Sequence, residues 1–151
     1  GLRYSDFINL TAANIVELHQ ETWLIYKSVK TGIDVRLPLY LLFEGKGLRV
    51  LETYKDDLNG FFKLKDNSNV NKDLNALAKL AEIDKRISFH TARHTNATLL
   101  IYSGANITTV QKLLGHKSVK TTQVYANIMD MTIVHDLEKA AYSKLANRPK
   151  S

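Results

Sequence analysis

Two histidines, an arginine and a tyrosine, with no carboxylate near them, mark the part of this sequence equipped for chemistry. His90 and Arg93 stand three residues apart, His116 follows Leu113-Leu114-Gly115, and Tyr125 comes nine residues later. From Lys85 to Met129 there is no Asp or Glu, while Lys85, Arg86, Arg93, Lys112, Lys117 and Lys120 are cationic. These six equal the whole formal net charge of +6, because the remaining chain balances fifteen basic against fifteen acidic residues. A field of one sign draws in a polyanion, and the pI of about 9.5 agrees with that. A phenol, with a pKa of about 10, is a poor nucleophile at neutral pH unless positive charge or a base helps it shed its proton. Arginine and histidine around one phosphate would supply that charge and stabilise the extra negative charge of the transition state.

The elements that must position these groups can be read from pattern. A helix is expected from about His90 to Ser103, stopped by Gly104, with Ala97, Leu100 and Ile101 on its buried side. His90 and Arg93 then share a face at its start, where unpaired N–H groups favour an anion. Thr108 with Gln111 reads as a capping box for a second helix that buries Val110, Leu113 and Leu114 and ends at Gly115. A third starts at 118–121 and carries Val124 and Tyr125. Ile133 to Ala146 spaces apolar residues as a last amphipathic helix.

Upstream, Leu2 to Leu10 has helical spacing, with Ser5-Asp6 able to cap a turn and Arg3 just ahead of it. Ile15-Val16, Thr22–Tyr26 and Val35–Leu39 read as strands, and Gly32 suits the turn between the last two. Lys30 therefore belongs at a hairpin tip, where its amine could reach a phosphate or deliver a proton; Lys27 is its nearest competitor. Tyr40–Phe43 opens a short helical or mixed segment closed by Gly45 and Gly47, and Asn71 is expected to cap a helix striped by Leu74, Leu77, Ala78 and Ala81.

The chain has 151 residues, enough for one domain, with no internal repeat. Without cysteine it has no disulfide or thiolate metal site. Its five histidines form no HExxH motif; His90 and His94, at i and i+4, are the one metal-like spacing. No apolar run approaches the ~18 residues a membrane span needs.

Taken together, these residues resemble the catalytic domain of the tyrosine recombinases, the integrase family of phage, conjugative transposons and chromosome-dimer resolution systems. Gly1-Leu2-Arg3-Tyr4-Ser5-Asp6 is similar to that family's first arginine box, and Val29-Lys30-Thr31-Gly32 with Val35–Leu39 to its β-hairpin lysine motif. His90-Thr91-Ala92-Arg93-His94 resembles the HxxR box. Leu113–His116 with Ser118 and Thr121–Ala126 resembles the box holding the second histidine and the nucleophile. Asn96 stands where relatives often carry phenylalanine.

The resemblance implies an α+β fold, mainly helical with a small antiparallel sheet, over 1–151. It implies that the family's core-binding and arm-binding domains lie outside this fragment. It also implies a DNA integrase or recombinase whose catalytic residues are Arg3, Lys30, His90, Arg93, His116 and Tyr125. Tyr125 would form a 3′-phosphotyrosine and release a 5′-hydroxyl, with no cofactor and no metal. Arg3 and Arg93 would clamp the non-bridging oxygens, Lys30 would protonate the leaving oxygen, His90 would assist proton transfer and His116 would hydrogen-bond the phosphate. Asp6 would support the first arginine box. Expected partners are double-stranded DNA and, in the full-length protein, a tetramer with the last helix docked in cis or in trans; the free fragment is expected to be monomeric. The expected location is the bacterial cytoplasm, on the nucleoid, away from membranes. Two rivals remain: a type IB topoisomerase-like strand transferase, against which the short loops and His116 argue, and a non-catalytic DNA-binding regulator, which would not require these six residues to converge.

Overall fold

The computed structural model describes residues 1–126 and Leu137. A three-stranded antiparallel sheet packs against a set of helices, as the α+β expectation requires. The chain opens with α1 (Tyr4–Phe7), then forms β1 (Ile15–Leu18), β2 (Glu21–Lys27) and β3 (Asp34–Pro38) in sheet order β1-β2-β3. Register pairs Leu24 with Leu37 and Tyr26 with Val35, so the period of two puts all four on one buried face. Leu10, Leu39 and Phe62 complete this first core.

The polar-rich middle forms α2 (Lys46–Thr53) and the short α3 (Leu58–Phe61), followed by α4 (Asn67–Leu80). Gly45 closes the short 3-10 segment Leu42–Gly45 as expected, whereas Gly47 does not. Gly45 adopts φ +71° immediately before α2, and Gly47 lies inside that helix. The cap of α4 also differs from the sequence reading. Asp66 caps it, accepting from the N–H groups of Ser68 and Asn69. Asn71 instead lies in its second turn and accepts from Phe89 N–H at 2.8 Å, while Asn75 holds Ile87 on both its N–H and its carbonyl. The two asparagines thus serve the approach to the next helix. Of the anticipated apolar stripe of α4 only Ala78 is buried; Leu77 is exposed.

The helix α5 (Phe89–Tyr102) begins at a capping box in which Ser88 accepts from Thr91 N–H and Thr91 Oγ1 accepts from Ser88 N–H. Next come α6 (Ile107–Leu114) and α7 (Val119–Ala126). The cap of α6 is Asn106, which accepts from Thr108 N–H at 2.9 Å, so Thr108 is a first-turn residue and not the cap. Ala97, Ile101, Val110, Leu114 and Tyr125 make a second core between these three helices. Leu113 packs on the sheet core while Leu114 enters the helical one, so α6 joins the two. The anticipated last helix at 133–146 lies outside the described residues apart from Leu137, which is helical and exposed.

Candidate active site

Arg93 is the residue around which the described site is built. It shares the inner stripe of α5 with Ala97 and Ile101 at four-residue spacing and is only 1% exposed. A buried guanidinium is costly unless its donors are satisfied and its charge is compensated. Its terminal nitrogens are served: Nη1 donates to the Gly1 carbonyl, and Nη2 to the Leu114 carbonyl (2.6 Å) and to His116 Nε2 (3.0 Å). Its charge is not. Among the described residues no carboxylate pairs with it, and the ion pairs there are Arg3–Asp6, Lys55–Glu52 and Lys65–Asp73. Burial first, then the neighbouring Arg3 cation, lowers the Arg93 pKa.

His116 is fixed as a neutral ring by its partners. Arginine can only donate, so Nε2 must accept, which leaves the proton on Nδ1 to be donated to Thr122 Oγ1 at 2.9 Å. Burial, and then Arg93 and Arg3, push its pKa down to about 4. Its backbone is tied to Gln111, whose carbonyl accepts from His116 N–H and whose side-chain amide donates to the His116 carbonyl.

Arg3 reaches the same place from the other end of the chain. Its Nη1 donates to Ser28 Oγ (3.0 Å), which donates to the Asp6 carboxylate (3.2 Å). Asp6, almost fully buried, also accepts from Val29 N–H and lies 3.5 Å from Arg3. Asp6 therefore touches Arg3 directly and pins the start of the β2–β3 loop. Lys30, two residues beyond Ser28, is exposed in that loop. Thr31 Oγ1 donates to the Gly115 carbonyl at 2.9 Å, clamping the loop to the end of α6. Gly115 permits this approach: its φ is +60°, and a Cβ there would lie 2.7 Å from Val35 Cγ2.

Tyr125 faces inward from α7, one turn beyond Thr122, and is 5% exposed. Its hydroxyl is bonded to His94 Nδ1 at 2.8 Å. Burial raises its pKa against the pull of Arg93 and Arg3. His90 is exposed at the start of α5 and stacks edge-on against His94, ring centroids 4.3 Å apart. Burial, then His94, Arg93, Arg3 and Lys30 lower the His90 pKa. The charges of Arg3, Lys30, Arg93 and the histidines are thus felt at one place.

Three residues near this place were not assigned a role from sequence. His94 looked only like half of a metal-like pair, yet it holds the tyrosine. Thr122 stood only within the stretch Thr121–Ala126 of the last box, yet it orients His116. Tyr26 read as a strand residue. Its buried hydroxyl has no hydrogen-bond partner among the described residues, and burial followed by Asp6 pushes its pKa up to about 12, with Arg93 and Arg3 opposing. For His94 the i,i+4 spacing to His90 was a visible signal of a shared face.

A family model described as the phage integrase family matches residues 1–131. The chain belongs to the phage integrase family. A tyrosine recombinase of Agathobacter rectalis is 32% identical over 141 residues, covering 85% of this chain and 44% of its own length. XerA of Saccharolobus solfataricus is 41% identical over 78 residues, which is 52% of this chain and 26% of that protein. The chain thus spans less than half the length of these relatives. Among solved structures, that of XerA recombinase overlays on 99% of this chain and 55% of its own with a TM-score of 0.64 and 25% identity. XerH site-specific recombinase, bound to palindromic difH substrate as a post-cleavage complex, shares the fold: TM-score 0.60, 22% identity, 93% of this chain and 41% of that one. The tyrosine-recombinase fold is therefore common to this integrase-family chain and to proteins named as recombinases.

Proposed function

We propose that residues 1–151 are the catalytic part of a longer site-specific DNA recombinase that cuts and rejoins double-stranded DNA through a 3′-phosphotyrosine on Tyr125. The observation that carries this reading is the buried Arg93, which no carboxylate pairs with directly among the described residues, and whose charge, with that of Arg3, acts on the Tyr125 phenol. A guanidinium without a carboxylate is arranged to receive an anion from outside, and a phosphodiester is an anion with a planar fork of oxygens to match. In this reading Arg93, through its Nε and whichever Nη hydrogens the phosphate displaces from carbonyls, and Arg3 hold the non-bridging oxygens. Lys30 reaches from its loop to protonate the leaving 5′-oxygen and His90 assists proton transfer, while His116, whose ring nitrogens are taken by Arg93 and Thr122, donates to the phosphate only in the tautomer that releases Arg93. The energy of the broken bond is kept in the phosphotyrosine, so a 5′-hydroxyl from a partner strand reverses the step without a cofactor. Assembly on DNA is as a tetramer, the segment 133–146 docking in cis or in trans, on the bacterial nucleoid. Among the described residues no helix is long and apolar enough to cross a membrane.

The DNA sequence need not be known to test the chemistry. The protein carrying this chain is incubated with fragmented genomic DNA, denatured in detergent, digested with nuclease and protease, and its peptides are weighed. The expected result is a nucleotide on the peptide containing Tyr125, absent in Tyr125→Phe, which still binds DNA. An adduct that survives Tyr125→Phe removes the assignment.

A further inference from the structure

The tyrosine hydroxyl has a single hydrogen-bond partner among the described residues, and it is not His90. Nδ1 of His94 lies 2.8 Å from Tyr125 Oη, with ring centroids 5.4 Å apart. That bond joins α5 to α7 across 31 residues of sequence. His90, by contrast, meets His94 edge to face at an interplanar angle of 87°. His94 is also exposed, so a ring whose inner nitrogen faces the phenol can pass a proton to water through its outer one. Tyr125 itself is buried and needs an acceptor at the moment it attacks, because a phenol in an apolar setting does not ionise unaided.

We propose that His94 is a further catalytic residue, the general base that receives the Tyr125 proton during strand cleavage. This deepens the reading of Tyr125 as nucleophile and rests on it. In the step, a bond forms between Tyr125 Oη and phosphorus while the bond from phosphorus to the 5′-oxygen breaks. The phenolic proton moves to His94 Nδ1, giving an imidazolium, and the leaving oxygen takes its proton from Lys30. His94 then loses a proton to water, and in rejoining it returns one to the departing phenol. The groups that touch His94 or share its field are His90 on its own helix, His116 from the loop after α6 and Tyr125 from α7. All but Tyr125 are basic, so the phosphate's negative charge offsets the imidazolium only when DNA is bound. Proton uptake is thereby coupled to the presence of substrate.

The test uses the whole protein and a nicked duplex carrying the site recovered from the Tyr125 adduct, measuring single-turnover adduct formation and DNA affinity in parallel. His94→Asn keeps an acceptor oxygen near the position of Nδ1 but cannot take up a proton. Expected is unchanged DNA binding with adduct formation slowed by about 10²-fold or more at neutral pH, a deficit that narrows as pH rises and hydroxide replaces the base. Free imidazole is expected to restore part of the rate in His94→Ala, a readout that a purely structural role would not move. Wild-type rates in His94→Asn would reduce the contact to orientation and overturn the proposal. A faster rate would overturn it too, by showing that His94 restrains the tyrosine. No adduct in the wild type would instead sink the nucleophile reading, a distinct failure.

Discussion

Arg93 and Tyr125 are both buried on neighbouring helices, yet they are held in very different ways. Arg93 is fixed by two backbone carbonyls and by His116, which is itself held by Thr122 and, through its backbone, by Gln111. On the far side Arg3, Ser28, Asp6 and Val29 N–H form a second chain of bonds. Among the described residues the Tyr125 hydroxyl has one hydrogen bond, to an exposed histidine. The difference matches what each half has to do. A site for developing charge acts best when its donors are in place before the reaction, whereas a nucleophile must reach phosphorus and later leave it. The anion wall is stiff and the nucleophile is tethered lightly.

Removing the centre of the stiff wall has the largest expected effect. Arg93→Ala should lower adduct formation by about 10²–10³-fold while changing DNA affinity far less, because Arg93 acts on charge that develops only in the transition state. It also orphans the Leu114 carbonyl and His116 Nε2, so Arg93→Lys is the companion variant, retaining charge without the fork. If cleavage and binding fall by the same factor in both, Arg93 is a docking contact and the contrast between the two halves disappears.

The join between the halves breaks next most severely. Gly115→Ala places a methyl group 2.7 Å from Val35 Cγ2 on a backbone with φ +60°. The left-handed conformation costs about 1–2 kcal/mol and the overpacking about 1–3 kcal/mol. A fall of about 3 kcal/mol in unfolding free energy is expected, read by chemical denaturation. With it the Thr31–Gly115 bond loosens and Lys30 loses its placement. A variant with normal stability and cleavage would show that the hairpin does not need this close approach.

How much of this was legible beforehand depends on the range of the interaction that decided it. The alternation of Val35 and Leu37 and the Gly104 and Gly115 stops are local, and the strands and helix ends followed them. The β1–β2 turn did not announce itself, because His19 and Gln20 take positive φ (54° and 64°) without the glycine or asparagine that usually signals it. Asn71 has the residue type of a cap, but Phe89 N–H, eighteen residues away, took its side chain. The six positions matching the recombinase boxes were readable one by one. Their neighbours were not: His94 gains its meaning only from how α5 packs on α7, and Tyr26 only from its burial in the field of Asp6, Arg93 and Arg3. Arg93 on the buried stripe of α5 was the one long-range fact with a sequence signature, a charged residue at the apolar spacing of Ala97 and Ile101.

The smallest effect separates the two halves by pH. His116 titrates at about 4 in the folded chain against an ordinary 6.5. Between those values the unfolded chain binds a proton that the folded one refuses, so stability falls as pH drops from about 6.5 towards 4 and stops falling below it. The cause is local: protonating Nε2 removes the acceptor for Arg93 and sets two cations against each other. In His116→Asn this share of the slope should vanish, lowering the melting temperature near neutral pH while flattening its dependence on pH across that window. Arg93 keeps its two carbonyls in that variant, so the wall should weaken without collapsing. Melting curves with the same pH slope in both proteins would mean that His116 is not held neutral by Arg93. The stiffness attributed to that side of the site would then have to come from the backbone carbonyls alone.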